Sequence, residues 1–234
     1  MKIDAGAPIL QGKSGVFIRL NKINHLMKID YPDCLDLGAG NGAYSFELSQ
    51  KIENVISLDI NLNYLKNIKT FERENIQLIN GNGESLPFKS KTFNSVFLIE
   101  TLEHIVNIEE AVDEIYRVTK PGATINITVP NKYFILETHH IYLFGKTIDG
   151  RLFPFIPMID FIYKIIGAAR RFSIKTLKDF FNVERFELAG YTYMLPPFDN
   201  IKFGRKFLKR ISRFLEKHEI VILAPTLIAV FRRR

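Results

Sequence analysis

Apolar residues recur at helical spacing near the start of the chain, where Val16, Leu20, Ile23 and Met27 lie three or four apart. That spacing predicts an amphipathic helix over residues 15–29. The pattern then changes. Cys34, Leu35 and Leu37 form a short apolar run that reads as the end of a buried strand, and Val55, Ile56 and Leu58 form another. Between them Tyr44, Phe46 and Leu48 resume a helical pattern. Strand-like and helix-like segments alternate as far as Pro130, which implies right-handed βαβ units and a mostly parallel sheet. Towards the C-terminus, residues 173–181 predict a helix with Ser173 as its N-cap. Residues 186–195 and 225–231 predict two further strands.

The chemistry begins where the first strand ends. Gly38, Gly40 and Gly42 occupy alternate positions between that strand and the helix that opens near Tyr44. A strand passing through glycines into a helix lets backbone approach a ligand closely, and a helix N-terminus offers unpaired N–H donors. Gly38, Gly40 and Ala43 also satisfy the dinucleotide fingerprint. The turn alone therefore leaves open adenosylmethionine, a nicotinamide cofactor or a purely structural role. Asp59 ends the second strand, 17 residues after Gly42. A carboxylate there can accept both hydroxyls of a ribose in charge-assisted bonds.

Later blocks separate these readings. Gly81-Asn82-Gly83-Glu84-Ser85-Leu86-Pro87-Phe88 is followed by Phe93 to His104, which contains Glu100-Thr101-Leu102-Glu103-His104, and then by Arg117-Val118-Thr119-Lys120-Pro121-Gly122. In these blocks, and in their order, the chain resembles the class I adenosylmethionine-dependent methyltransferases, in the branch of the quinone-biosynthesis methylases. The resemblance implies an α/β, Rossmann-like fold: a seven-stranded, mostly parallel sheet with helices on both faces and an antiparallel last strand. It also implies S-adenosyl-L-methionine as cofactor, bound by Asp36, Gly38, Ala39, Gly40, Gly42, Asp59, Ile60, Asn82, Gly83, Glu84 and Glu100. Asn82 departs from the family, which usually has an aspartate there to accept from the adenine amino group. Asparagine still accepts, without the charge, and Asn82-Gly83 also reads as a simple turn.

Length, charge and composition add the rest. A chain of 234 residues suits one α/β domain, divided into a helical segment (1–30), a cofactor core (31–131), an insertion or lid (132–172) and a closing part (173–234). No apolar run reaches a membrane span and no apolar h-region follows Met1-Lys2-Ile3-Asp4, so a cytoplasmic location is expected. Cys34, the single cysteine, reads as core. No metal-ligand set is read. Residues 145–234 hold 18 of the 32 basic and 8 of the 25 acidic residues, which suggests an anionic partner or a solvated basic face. Phe203, Phe207, Ile211, Phe214 and Leu215, interleaved with Lys206, Lys209 and Arg210, predict an amphipathic helix suited to peripheral membrane contact or to packing on the sheet.

The insertion leaves the carboxyl end of a parallel strand, where such sheets hold ligands, and is dense in apolar residues from Leu152 to Ile166. It predicts a lid over a small, apolar or lipid-like acceptor. Losing an acceptor proton needs a base; His139, oriented by Glu137, leads the candidates, followed by His104, with Glu103 and His140 nearby. A nucleic-acid methyltransferase, a non-catalytic adapter and a nicotinamide oxidoreductase are the rival readings. The acidic residues after the fourth strand argue against nucleic acid.

Overall fold

The computed structural model describes residues 13–68, 73–137, 140–143, 146–150, 155, 159–167, 169–195 and 221–234. Helix α1 (Lys13–Leu26) precedes two βα steps, β1 (Asp33–Leu37) with α2 (Ala43–Leu48) and β2 (Asn54–Asp59) with α3 (Leu62–Ile68), and then β3 (Ile76–Asn80). β4 (Phe93–Ile99), α4 (Ile108–Val118) and β5 (Thr119–Pro130) follow. An insertion carries the hairpin β6 (His140–Leu143) and β7 (Lys146–Asp149) and the short helix α5 (Asp160–Ile166). α6 (Ile174–Phe180), β8 (Phe186–Met194) and β9 (Thr226–Arg233) complete the chain.

The main sheet has seven strands in the order β3-β2-β1-β4-β5-β9-β8. β1 through β5 pair in parallel, and β9 runs antiparallel to both β5 and β8. The strand order reverses between β1 and β4, which makes a crevice at their carboxyl ends. Alternate residues feed opposite layers. Cys34, Val55 and Phe97 pack with Val16, Leu20 and Ile23 of α1 and Leu48 of α2. Leu35, Leu37, Val96 and Leu98 pack with Ile108, Val112 and Ile115 of α4 and Leu177 of α6. Helices thus cover both faces, and Cys34 is a buried free thiol in the core.

Two local differences from the sequence reading have physical causes. Helix α1 ends at Leu26, three residues before Ile29, because the Ile29 N–H donates to Asn24 Oδ1 (2.9 Å) and leaves the helical ladder. Lys120-Pro121-Gly122 lies inside β5 and not ahead of it; the ladder to β4 shifts register between Phe93 and Ser95, and Gly122 takes φ 78°. The insertion is closed at its base, where Phe172 N–H donates to Pro130 O and Lys132 N–H to Phe172 O, both 2.9 Å. The Ser173 cap forms as expected, accepting from the Thr176 N–H. The predicted amphipathic run after residue 201 and most of residues 151–158 lie outside the described residues. No helix among the described residues is long and apolar enough to cross a membrane.

Candidate functional site

The crevice is built first from the glycine turn. Gly38, Gly40 and Gly42 have φ of 78°, 54° and 77°, a region in which side chains are strained. Gly38 has a second reason to be glycine: a Cβ there would lie 2.4 Å from Thr101 Cγ2. The turn is therefore pressed against the loop that leaves β4. Its N–H groups are partly committed, Gly38 and Ala39 donating to Leu58 O at 2.8 and 3.0 Å.

Asp59 locks the turn from β2. Its Oδ2 accepts from Gly40 N–H and its Oδ1 from Asn61 N–H, each at 2.8 Å. Each carboxylate oxygen keeps further acceptor capacity. Ile60 beside it is 64% exposed. Asp36 is buried behind the turn, where its Oδ2 accepts from Ser45 Oγ at 2.6 Å and Ser45 Oγ accepts from Ser57 Oγ at 2.8 Å. Burial, and next the Asp59 charge, push the Asp36 carboxyl up to about 6 against the pull of Ser45. A folded-state pKa above the unfolded value means stability present at acid pH and lost as pH rises through about 6. Asp36→Asn imitates the protonated form. It is therefore expected to raise stability above that window, on the order of 2 kcal/mol, with the gain vanishing below about pH 4 in denaturant titrations.

The third wall is the loop after β3. Asn82 Oδ1 accepts from Glu84 N–H at 3.1 Å, and Glu84 Oε1 accepts from Asn107 N–H at 2.7 Å. Asn107 in turn caps α4 through Glu110 N–H. Asn82 and Glu84 thus have structural work, while Gly83 backs onto Leu37. One lone pair of Asn82 Oδ1 remains for a ligand.

The fourth wall gathers ionisable groups. Glu100 takes φ 53°, unusual for a residue with a side chain. Its N–H donates to Thr128 O (2.9 Å), and Thr128 Oγ1 donates to its Oε1 (2.9 Å). Arg19 of α1, 2% exposed, reaches Glu100 Oε1 with Nη2 at 3.4 Å, donates to the Tyr44 hydroxyl, and meets Thr226 Oγ1 at 3.4 Å. Glu103 follows in the 3-10 turn Leu102–His104, wholly buried, and His104 beside it is half-buried. Glu137 is buried at the start of the insertion against Tyr163 of α5. Burial first, then the Glu137 charge and hydrogen bond, push the Tyr163 phenol up, with Arg171 opposing.

The glycine turn, Asp59, Asn82 and Glu100 thus lie at the carboxyl ends of β1, β2, β3 and β4. Among the base candidates, Glu137 and Glu103 interact with the same phenol, Tyr163. His139 lies outside the described residues, as does the side chain of His140. Sequence reasoning missed Arg19, Tyr44, Thr128 and Tyr163. One signal was present: Arg19 occupies an i+3 position on the apolar stripe of α1. Among the described residues no three His, Cys, Asp or Glu side chains group as metal ligands.

Residues 35–127 match the family described as Methyltransferase domain. The chain is 43% identical over 103 residues to an uncharacterized protein of Methanocaldococcus jannaschii, covering 44% of this chain and 43% of that one. It is 28% identical over 193 residues to the ubiquinone/menaquinone biosynthesis C-methyltransferase UbiE of Wigglesworthia glossinidia brevipalpis, 75% of each. The chain thus spans less than half the length of the first relative and three quarters of the second. A crystal structure of an S-adenosylmethionine-dependent methyltransferase from Mesorhizobium loti superposes with TM-score 0.64 at 13% identity, covering 95% of this chain and all of that one.

Proposed function

We propose that this chain is a class I S-adenosylmethionine-dependent methyltransferase and that it methylates a small, apolar or lipid-like acceptor. The observation that carries the cofactor half is the Asp59 carboxylate tied to Gly40 N–H at the switch point of the sheet. The residues fit S-adenosylmethionine. Three glycines with positive φ make a cradle without side chains, Asp59 keeps acceptor capacity for a ribose diol, and exposed Ile60 offers an apolar face for adenine. Asn82 would accept from the adenine amino group. Glu100, held by Thr128 and Arg19, would meet the α-ammonium. The cofactor supplies an electrophilic methyl group when bound. The protein's own task is then to align the acceptor, exclude water and take up a proton; orientation alone is worth on the order of 7–11 kcal/mol.

The acceptor half rests on the insertion. Phe161 and Ile165 of α5 are 76% and 62% exposed, and Phe155, Ile159 and Ile162 are exposed with them. Clustered exposed apolar side chains mark an interaction surface, and we read this one as a lid face that meets an apolar acceptor or the lipid surface holding it. The ubiquinone/menaquinone biosynthesis C-methyltransferase among the relatives, at 28% identity, supports this direction.

Two measurements test the proposal. Labelled S-adenosylmethionine supplied to a cell extract should yield a methylated product extractable into organic solvent. A product destroyed by nuclease would favour the nucleic-acid reading instead. Co-sedimentation with anionic vesicles should be lost with Phe161→Asp plus Ile165→Asp, since each buried side chain of this size is worth about 1.5–3 kcal/mol. Exchanging Lys206, Lys209 and Arg210 for glutamine should weaken pelleting at low salt, at about 1 kcal/mol per charge. No lipid-dependent pelleting at low or high salt would leave a soluble acceptor as the better reading.

A further inference from the structure

Among the described residues, Glu103 is the one carboxyl group with both oxygens buried and neither hydrogen-bonded, apart from the pull of its own backbone N–H. It is 0% exposed. The main chain around it is pinned: Arg170 N–H donates to Glu103 O at 3.3 Å, and the Arg170 guanidinium donates to Ile105 O and to Val106 O. The side chain is therefore held inside, not swung in by chance. Its charged and titratable neighbours are Glu100 and Arg19 on the cofactor side and Tyr163 of α5 on the insertion side. Tyr163 donates to Ala169 O at 2.9 Å and lies against Glu137. Glu103 thus occupies the seam between the cofactor edge and the lid.

A buried polar group without partners is unfavourable and calls for an explanation. We infer that Glu103 is the catalytic base of this enzyme, and that the acceptor is a hydroxyl, phenol or activated C–H compound that brings its own proton. The inference rests on the methyl-transfer reading above and deepens it. The acceptor's oxygen or carbon forms a bond to the methyl carbon as the carbon–sulfur bond breaks, whose electron pair remains on sulfur. The acceptor's proton passes to a Glu103 oxygen and from there to water. A tertiary amine or thioether needs no such group. Burial first, and then the charge of Glu100, push the Glu103 carboxyl well above the usual carboxylate range, with Arg19 pulling the other way. That moves it toward the pH at which a carboxylate is an effective base.

The test compares wild type, Glu103→Gln and Glu103→Leu by calorimetry with S-adenosylmethionine, by thermal unfolding, and by incorporation of labelled methyl groups into cell extract. Both variants should bind S-adenosylmethionine as wild type does, and Glu103→Leu should melt higher than wild type near about pH 8. Incorporation should fall by ~10²–10⁴-fold in both, and the rise of wild-type incorporation with pH should be missing from the residual activity of Glu103→Gln. A lower melting temperature in Glu103→Leu with incorporation unchanged would make Glu103 structural and overturn the assignment. Wild-type protein that labels nothing would instead remove the methyl-transfer reading itself.

Discussion

Replacing Asp59 with alanine is expected to weaken S-adenosylmethionine binding by at least about tenfold. Two charge-assisted bonds to the ribose diol are lost, each worth ~1.5–3 kcal/mol. The loss should exceed that of the diol contacts alone, because the same carboxylate holds Gly40 N–H and Asn61 N–H at 2.8 Å. Without it the glycine turn is released as well. Asp59→Asn keeps one acceptor oxygen and should lie between wild type and alanine. Calorimetry with S-adenosylmethionine and with NAD decides the matter. Unchanged affinity in Asp59→Ala, or tighter binding of NAD than of S-adenosylmethionine by wild type, would sink the cofactor assignment.

Arg19→Met is expected to be among the most damaging single changes in the fold, costing about 3–5 kcal/mol in denaturant unfolding. The guanidinium is buried among Glu100, Tyr44 and Thr226, so its removal strands the Glu100 carboxylate, whose side chain is 12% exposed. Arg19→Met combined with Glu100→Gln removes both charges and should recover part of the loss, by the roughly 0.5–3 kcal/mol coupling seen between contacting residues. A double variant no more stable than Arg19→Met would show that the pair is not coupled. Binding should follow as well. If Glu100 meets the α-ammonium of the cofactor, Arg19→Met also weakens S-adenosylmethionine binding, because it removes the Nη2 contact at 3.4 Å that holds Glu100 Oε1 in place.

Neither residue announces this partnership in the chain. The apolar stripe of α1 is complete without Arg19, and a hydrophobic pattern counts an arginine as solvent-facing by default. Glu100 follows β4, where the family resemblance puts a cofactor contact, but its φ of 53° and its bond from Thr128 are consequences of how β4 and β5 pair. Glu103 and Tyr163 are separated by a strand, a helix and most of the insertion, and only the closure of that insertion at Phe172 and Pro130 brings α5 over the turn.

What the chain alone determined is local. The alternation of strand and helix follows from apolar spacing within a few residues. The glycine turn follows from backbone freedom at Gly38 and Gly42, and the acid at the end of β2 from its position in the pattern. Those features were legible because each depends on neighbours in sequence. The tertiary structure alone decided which distant groups share low dielectric. Arg19 meets Tyr44, 25 residues on, and Thr226, 207 residues on, and Glu103 lies buried with Glu100 and Tyr163 as neighbours. A buried ion pair such as Arg19 and Glu100 forms only where folding supplies the partner, and the partner's distance along the chain carries no signal in the local pattern.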